Sequence, residues 1–243
     1  MFSSRFKWNL ETNQLARLIE TKRRAGAPIL DLRKSFDSNW EFSNPFRALF
    51  PFLRKRVHRE YRPRLSPVRL NTTRRWRASL YRDLLIRLDQ AKKEILITNA
   101  YFLPRRSLFR HLKKAAARGV KVIIMIAGPS DVPIVRLSAS ELIHRLVLAQ
   151  VEVYEYKHSI LHAKTMIIDD FAIVGSMNLN HRSFVHDLEL DVVLTKPDSV
   201  VHLKDQFHED LKSCRPITDS EYTNMNWIKK LFAKIAYQFR YWL

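Results

Sequence analysis

Apolar stretches of two different periodicities alternate along the chain from about residue 75, and this alternation limits the possible folds more than any other feature. EILITNAYF (94–102) and VKVIIMIAG (120–128) have the continuous apolar character of buried strands. Between them, SLFRHLKKAAAR (107–118) repeats apolar residues at helical spacing and ends at Gly119. Helices that alternate with buried strands pack on both faces of a sheet. The alternation therefore predicts an α/β fold with a mixed sheet flanked by helices.

The same patterns predict the domain organisation. The alternating region forms one domain over residues 71–218, preceded by an N-terminal extension and arginine-rich linker over 1–70 and followed by a basic amphipathic helix over 219–243. Within the domain, further helices are predicted at about 76–91, 136–149 and 198–213, and further strands at 151–156, 165–169, 172–176 and 188–194.

Charge narrows the class of partner. The chain carries 43 Lys and Arg against 24 Asp and Glu, a formal net charge of +19. This excess favours nucleic acid, an anionic bilayer surface or a phosphate-bearing substrate. The longest apolar run, VIIMIA (122–127), is too short to span a bilayer, and the N-terminus lacks the apolar segment of a secretory signal. We therefore expect no transmembrane helix, no signal peptide and a soluble or peripheral intracellular protein.

The segment LHAKTMIIDDFAIVGSMNLNHRSF (161–184) contains the polar residues best suited to phosphate chemistry. In a strand, His162 and Lys164 point to the same face, so an imidazole and an ammonium project together. A neutral imidazole is a competent nucleophile toward phosphorus, and the ammonium can neutralise charge that develops on a phosphoryl oxygen. Ser176 and Asn178, also two positions apart, follow a glycine that permits close backbone approach, and they can donate further hydrogen bonds to phosphate oxygens.

The pattern His-x-Lys-x4-Asp, followed by Gly-Ser-x-Asn, resembles the signature of the phospholipase D superfamily. Residues 78–213 also resemble the C-terminal half of bacterial cardiolipin synthases, on NAYFLP, LKKAAARGVKVIIMIAG, SDVPIVR, VEVYEY and NLNHRS. The resemblance implies a phospholipase D-like sheet containing one motif half only. It also implies that one histidine attacks a phosphodiester to form a phosphohistidine, while a second histidine protonates the leaving alcohol. It implies no metal and no cofactor.

Individual residues also have expected roles. From its position in the strand-turn unit, Asp169 is expected to fix the turn geometry or to pair with a neighbouring cation. Glu189 matches an acid that follows the motif in the family and buttresses a catalytic histidine, which in this chain is expected to belong to the partner half. The implied catalytic set is His162, Lys164, Asp169 and Glu189, and the implied phosphate-binding set is Lys164, Ser176 and Asn178.

Three positions depart from the family pattern. Only five residues separate Asp169 from Gly175, where six are usual, and a hairpin loop can absorb this difference. Asn180 stands where the family commonly has Asp, and Asp187 stands where it commonly has Asn. These two substitutions bear on substrate fit more than on the phosphoryl step.

The sequence contains only one such motif, which leaves the source of the second histidine open. Two copies could form a homodimer through the motif face, the missing N-terminal half could be supplied in trans, or the chain could be an inactive half. Residues 2–32 do not supply a motif. They resemble the leading segment of some pyridoxal-phosphate aminotransferases, but no cofactor-binding part follows, so no aminotransferase activity is expected.

The C-terminal segment NWIKKLFAKIAYQFRYWL (226–243) carries its large apolar side chains on one helical face. It is expected either to dock this stripe onto the core or to lie in an anionic membrane surface. The stripe is Trp227, Ile228, Leu231, Ile235, Phe239 and Trp242, and the basic residues largely off it are Lys229, Lys230, Lys234 and Arg240.

These observations predict a cardiolipin synthase-like phosphatidyltransferase or phosphodiesterase that acts on phospholipids, peripherally, at the cytoplasmic face of the cell membrane. Two alternatives remain. A homodimeric, metal-independent endonuclease of the same superfamily would also use the net charge of +19, with nucleic acid as its partner. The other alternative is a half-domain that binds a membrane or a partner without turnover, and that needs no catalytic histidine and no second motif.

Overall fold

The computed structural model describes residues 67–71, 73–128, 133–157, 161–194 and 196–238, without the side chains of 133–136. Almost all of the predicted N-terminal extension therefore lies outside the described residues. So do Phe239 and Trp242 of the predicted C-terminal stripe, together with Arg240, one of the basic residues off the stripe.

One mixed sheet of eight strands forms the centre of the described part of the chain. Its spatial order is β1-β7-β6-β5-β2-β3-β4-β8, in which β2, β3 and β4 are parallel and the other neighbours pair antiparallel. The predicted α/β fold with a mixed sheet flanked by helices is confirmed. The strands are β1 (Val68–Leu70), β2 (Glu94–Asn99), β3 (Lys121–Ala127), β4 (Glu152–Tyr156), β5 (Lys164–Ile168), β6 (Phe171–Gly175), β7 (Leu190–Leu194) and β8 (Cys214–Pro216). The helices are α1 (Arg74–Gln90), α2 (Arg106–Ala117), α3 (Pro133–Val147), α4 (His181–Val185), α5 (Pro197–Lys212), α6 (Asp219–Thr223) and α7 (Trp227–Gln238).

The apolar run in β3 is continuous because helices cover both faces of the sheet. Ile124 and Ile126 belong to a core that includes residues of α1, α2 and α3. Ile123 and Met125, which alternate with them, belong to the core on the other face, beneath α5. Successive side chains of a strand point to opposite faces, so a strand buried on both sides has no polar position.

Local signals account for the ends of the first two helices. α1 begins after Thr73, whose hydroxyl accepts the backbone N–H of Trp76 at 3.2 Å, as an N-cap residue does. α2 is followed by Gly119, which has a φ of 84° in the left-handed region. These two ends fix where the chain enters β2 and β3.

Several elements were not anticipated. β1 lies in the segment interpreted as a basic linker. Its residue Arg69 is opposite Asp191 in the antiparallel register with β7, so the sheet begins before the predicted boundary at residue 71. The segment predicted as a single C-terminal helix contains α6 and α7, and α7 packs against α3. α4 and β8 also carried no recognised sequence signal. No helix in the described residues is long and apolar enough to cross a bilayer.

Candidate active site

His162 and Lys164 lie side by side at the start of β5. The Nζ atom of Lys164 is 2.8 Å from Nδ1 of His162 and donates a hydrogen bond to the His162 carbonyl oxygen at 2.6 Å. The Lys164 side chain is buried, while the imidazole is half-buried and meets the edge of the Tyr101 ring at 6.3 Å between centroids. A nucleophile candidate and a cation are therefore held together where the strand begins.

Ser176 and Asn178 come to the same end of the sheet through the β5–β6 hairpin. Thr165 pairs with Val174, so the beginning of β5 lies beside the end of β6. The hydroxyl of Ser176 donates to the Glu189 carboxylate and accepts the backbone N–H of Leu190 at 3.1 Å. The side-chain oxygen of Asn178 is buried without a hydrogen-bond partner among the described residues. The predicted phosphate-binding residues thus share the open end of the β5–β6 hairpin, away from the turn, which we call the hairpin end.

Glu189 is buried beside this group. Burial raises the pKa of its carboxyl above the usual value, a nearby Asp187 acts in the same direction, and the bond from Ser176 and the charge of Lys164 act against it. Asn71 holds the backbone here, because its side-chain oxygen accepts the Glu189 N–H at 2.6 Å. An acid next to the serine and the lysine is placed to orient a cationic or hydrogen-bonding group at the hairpin end.

Asp169 is not brought to this site. It lies in the β5–β6 turn with a φ of 51°, at the opposite end of β5 from Lys164. Its carboxylate accepts the backbone N–H groups of Lys92, Lys93 and Glu94 at 2.8–3.0 Å. Burial would raise the pKa of this carboxyl, but the backbone hydrogen bonds outweigh burial and lower it. Asp169 thus ties the β5–β6 turn to the start of β2.

The structure adds three polar residues that the sequence did not single out. A small cavity of about 30 Å³ behind Lys164 is lined in part by Arg69, Asn99 and Asp191. Asp191 is 5% exposed and accepts the Met177 N–H at 3.3 Å, directly between Ser176 and Asn178. The available signal was a carboxylate two residues after Glu189 in an otherwise apolar strand, which places both acids on one face.

Asp191 makes the stability of the fold depend on pH. Burial raises the pKa of its carboxyl to about 7, the charge of Glu189 acts in the same direction, and the Met177 N–H and Arg69 act against them. Because the folded-state pKa lies above the unfolded-state value, the folded chain keeps this proton while the unfolded chain loses it. The free energy of unfolding therefore falls between about pH 4 and pH 7, by about 4 kcal/mol from this group.

Replacing Asp191 with asparagine is expected to flatten this decline, since the amide cannot ionise and can still accept the Met177 N–H. Thermal unfolding temperatures of the wild type and Asp191→Asn, measured from pH 4.5 to 8, should converge at low pH and separate in favour of the variant near pH 8. Glu189, whose pKa is also raised, should leave a residual slope. Parallel curves for the two proteins would contradict this assignment.

The donor set suits a phosphate oxygen more than a metal ion. The side chains at the hairpin end supply an imidazole, an ammonium, a hydroxyl and an amide. In the described residues, no group of three or more His, Cys, Asp and Glu side chains is placed to hold a metal ion. The arrangement can bind a phosphate group and present a ring nitrogen to it.

Comparison with known proteins agrees with this geometry. A family model described as "Cardiolipin synthase, PLD-like domain" matches residues 84–211. Cardiolipin synthase B of Escherichia coli is 34% identical over 165 residues, which are 67% of this chain and 40% of that protein. Cardiolipin synthase 2 of Staphylococcus epidermidis is 34% identical over 144 residues, 59% of this chain and 30% of that protein. The chain thus spans 40% or less of the length of these relatives.

Solved structures show the same fold. Nuc from Salmonella typhimurium, a phospholipase D family member, superposes with a TM-score of 0.53 at 19% identity, over 62% of this chain and 96% of that chain. The phosphatidylserine synthase of Haemophilus influenzae superposes with a TM-score of 0.52 at 17% identity, over 66% of this chain and 42% of that chain. At this level of identity the likeness concerns the fold alone.

Proposed function

The chain belongs to the family of the cardiolipin synthase, PLD-like domain, and on this premise we propose that it is a phospholipase D-type phosphatidyltransferase acting on phospholipid phosphodiesters. One observation carries the proposal: His162 and Lys164 lie in contact at the hairpin end that also holds Ser176 and Asn178. The relatives that match two-thirds of the chain are named cardiolipin synthases, which supports a phospholipid as the substrate.

In the first step a ring nitrogen of His162 attacks the phosphorus of the phosphodiester. A P–N bond forms, the P–O bond to the leaving alcohol breaks, and a second histidine gives that alcohol its proton. Lys164, Ser176 and Asn178 bind the non-bridging oxygens as their charge increases. In the second step an acceptor alcohol or water loses its proton to the second histidine and attacks phosphorus. The P–N bond then breaks and His162 is released unchanged.

Two present hydrogen bonds must change partners for this reaction. The Lys164 ammonium now donates to Nδ1 of His162, which keeps the proton of the neutral ring on Nε2. A bound phosphate offers the ammonium a charged acceptor, and the ring can then take the other tautomer. The Ser176 hydroxyl likewise turns from Glu189 to the phosphate. Glu189 is thereby freed to accept from the second histidine and to orient it.

The second histidine comes from outside this chain's single motif. A second copy, related by a two-fold axis at the hairpin end, would supply its own His162, and a missing N-terminal half would supply an equivalent. The fraction of the relatives' length that the chain covers is compatible with either source. We place the reaction at the cytoplasmic face of the cell membrane with the protein bound peripherally, and the net charge of +19 supports an anionic lipid surface as its partner.

The symmetric-dimer form of the proposal predicts how activity depends on subunit composition. Wild-type chain and His162→Ala chain are mixed in known ratios, allowed to exchange subunits, and assayed for phosphatidylglycerol turnover. If every site needs both histidines, activity falls as the square of the wild-type fraction, so an equal mixture retains about a quarter. Light scattering on the same samples gives the mass of the active species.

The possible outcomes separate the sources of the second histidine. A linear dependence, with half the activity in the equal mixture, would exclude a shared site. Activity that appears only when an N-terminal motif half is added would assign the second histidine to that half. Absence of turnover in a confirmed dimer, with and without that half, would contradict the phosphatidyltransferase assignment.

Nucleic acid is the second candidate substrate, favoured by the net charge of +19. The same two-histidine chemistry can cleave a phosphodiester of DNA or RNA. Release of nucleotides in EDTA by the purified chain, lost in His162→Ala and weakened by salt, would favour a metal-independent endonuclease. Turnover of phospholipid without nucleotide release would exclude it.

A further inference from the structure

α7 presents a wide apolar surface to solvent. Trp227 is 71% exposed, Phe232 is 59% exposed, and three aliphatic side chains of the same helix are between 43% and 48% exposed. At about 100° of rotation per residue, these five side chains span an arc of about 140°. We call this surface the apolar arc; its members are Trp227, Ile228, Leu231, Phe232 and Ile235.

The helix docks through a different face. Ala233 and Ala236 are buried where α7 packs against α3. The half-buried Tyr237 packs against the core that includes residues of α1, α2 and α3. Small side chains let the two helices approach closely, while the large side chains remain outside. Docking therefore does not use the apolar arc, and the expectation that this segment docks its large apolar stripe onto the core is wrong for the described residues.

Two lysines lie outside the apolar arc, one beyond each of its edges. On the helical projection Lys234 lies about 20° beyond Trp227, and Lys229 lies about 60° beyond Phe232, past Ala236. Both lysines are exposed, and the sequence has no acidic residue after Glu221. Long lysine side chains at the border of an apolar face can reach upward to headgroups while the aromatic and aliphatic groups enter the acyl boundary.

We propose that α7 is a membrane-docking helix, which lies in the plane of an anionic phospholipid surface with the apolar arc inserted and Lys229 and Lys234 on the headgroups. The local charge beside the apolar arc favours this occupant over a second copy of the chain. The helix carries Lys229, Lys230 and Lys234 and no acidic residue, so pairing two such surfaces brings like charges together, whereas an anionic bilayer attracts them. This inference deepens the proposed function by naming the surface that meets the lipid, and its test does not depend on turnover.

The test is co-sedimentation of the full chain with vesicles of phosphatidylcholine alone or with about a third phosphatidylglycerol. All proteins carry His162→Ala, so that turnover does not change the lipid composition during the assay. We expect binding to the anionic vesicles, and a loss of at least about tenfold for Leu231→Gln/Phe232→Gln. The matched control is Val201→Gln, which changes a side chain of similar exposure on α5.

The charge component is tested separately. Lys229→Glu/Lys234→Glu should weaken binding to anionic vesicles by more than tenfold at low salt, since each lysine near such a surface contributes about fivefold. Lys114→Glu/Lys196→Glu reverses two exposed lysines elsewhere and should change binding much less. Circular dichroism and thermal unfolding show whether each variant is folded. If the glutamine variant does not fold, the Lys229→Glu/Lys234→Glu variant still tests the proposal.

Two results would overturn the proposal. Equal binding by wild-type and arc variants would show that α7 does not touch the bilayer. A change in mass by light scattering, with vesicle binding unchanged, would assign the apolar arc to contact between copies of the chain. Failure of phosphatidylglycerol turnover in the active protein, with vesicle binding intact, would contradict the proposed reaction and leave the docking surface standing.

Discussion

Replacing His162 with alanine is expected to lower phosphatidylglycerol turnover by about 10⁴-fold or more. The substitution removes the nitrogen that forms the P–N bond, so the reaction loses its covalent intermediate. Lys164 and Ser176 still bind phosphate oxygens, but neither can replace a nucleophile with a ring nitrogen's affinity for phosphorus. Substrate binding should change little, because the Lys164 ammonium attracts the phosphate more strongly than the imidazole does. The loss should therefore fall on kcat and not on KM.

Fold and chemistry can be separated in this variant. His162 is half-buried and precedes β5, outside the two cores, so the unfolding temperature should stay close to that of the wild type. His202→Ala is the matched control, because His202 is an exposed imidazole on α5. Acid-labile phosphoprotein, trapped by quenching during turnover, should form in the wild type and in His202→Ala. Its appearance in His162→Ala would show that another residue is the nucleophile.

The hairpin end of the site could be predicted because its residues are close in sequence. A strand places His162 and Lys164 two positions apart on one face, and a tight turn returns Ser176 to the same end. Local geometry alone, without any long-range pairing, thus assembles an imidazole, an ammonium and a hydroxyl. The turn position of Asp169 depends on the same local geometry, but its hydrogen bonds join the turn to the start of β2, a distant segment of the chain.

The rest of the site depends on contacts between distant segments. Asp191 shares the cavity with Arg69 only because β1 pairs with β7, and no sequence pattern indicated that a three-residue strand lies in the arginine-rich segment. Composition alone does not distinguish one buried arginine from the other basic residues of such a segment. Arg69 is 4% exposed and pairs with Asp83 of α1 at 2.7 Å, which compensates part of the cost of its burial.

The C-terminal helix shows a different limit. Its helical period was clear, but the period does not say which of two apolar faces packs on the core. The face with the larger side chains was the natural choice for docking, since it would bury more apolar area. The structure instead buries Ala233 and Ala236 where α7 contacts α3. The face that docks is therefore not the one with the largest apolar side chains.

Replacing Gly175 with alanine is expected to destabilise the fold by about 3 kcal/mol, or about 6–12 °C in unfolding temperature. A Cβ atom at this position would lie 2.0 Å from Oδ1 of Asp191, 2.5 Å from the Leu190 carbonyl oxygen and 2.6 Å from the Asp191 Cα. Two of these atoms are backbone, so β6 and β7 must separate to make room. The same separation would move Ser176 away from Glu189, and turnover should fall together with stability.

Two further variants identify the cause of the Gly175→Ala effect. Gly119→Ala adds a Cβ with nothing within 4 Å but at a φ of 84°, so it should cost only about 1 kcal/mol of backbone strain. Gly175→Ala/Asp191→Ala removes the Oδ1 contact and leaves the two backbone contacts, so it should remain destabilised relative to Asp191→Ala. Recovery of stability in that double variant would show that the carboxylate sets the limit at residue 175. Persistent destabilisation would show that the close approach of β6 and β7 is what requires glycine before Ser176.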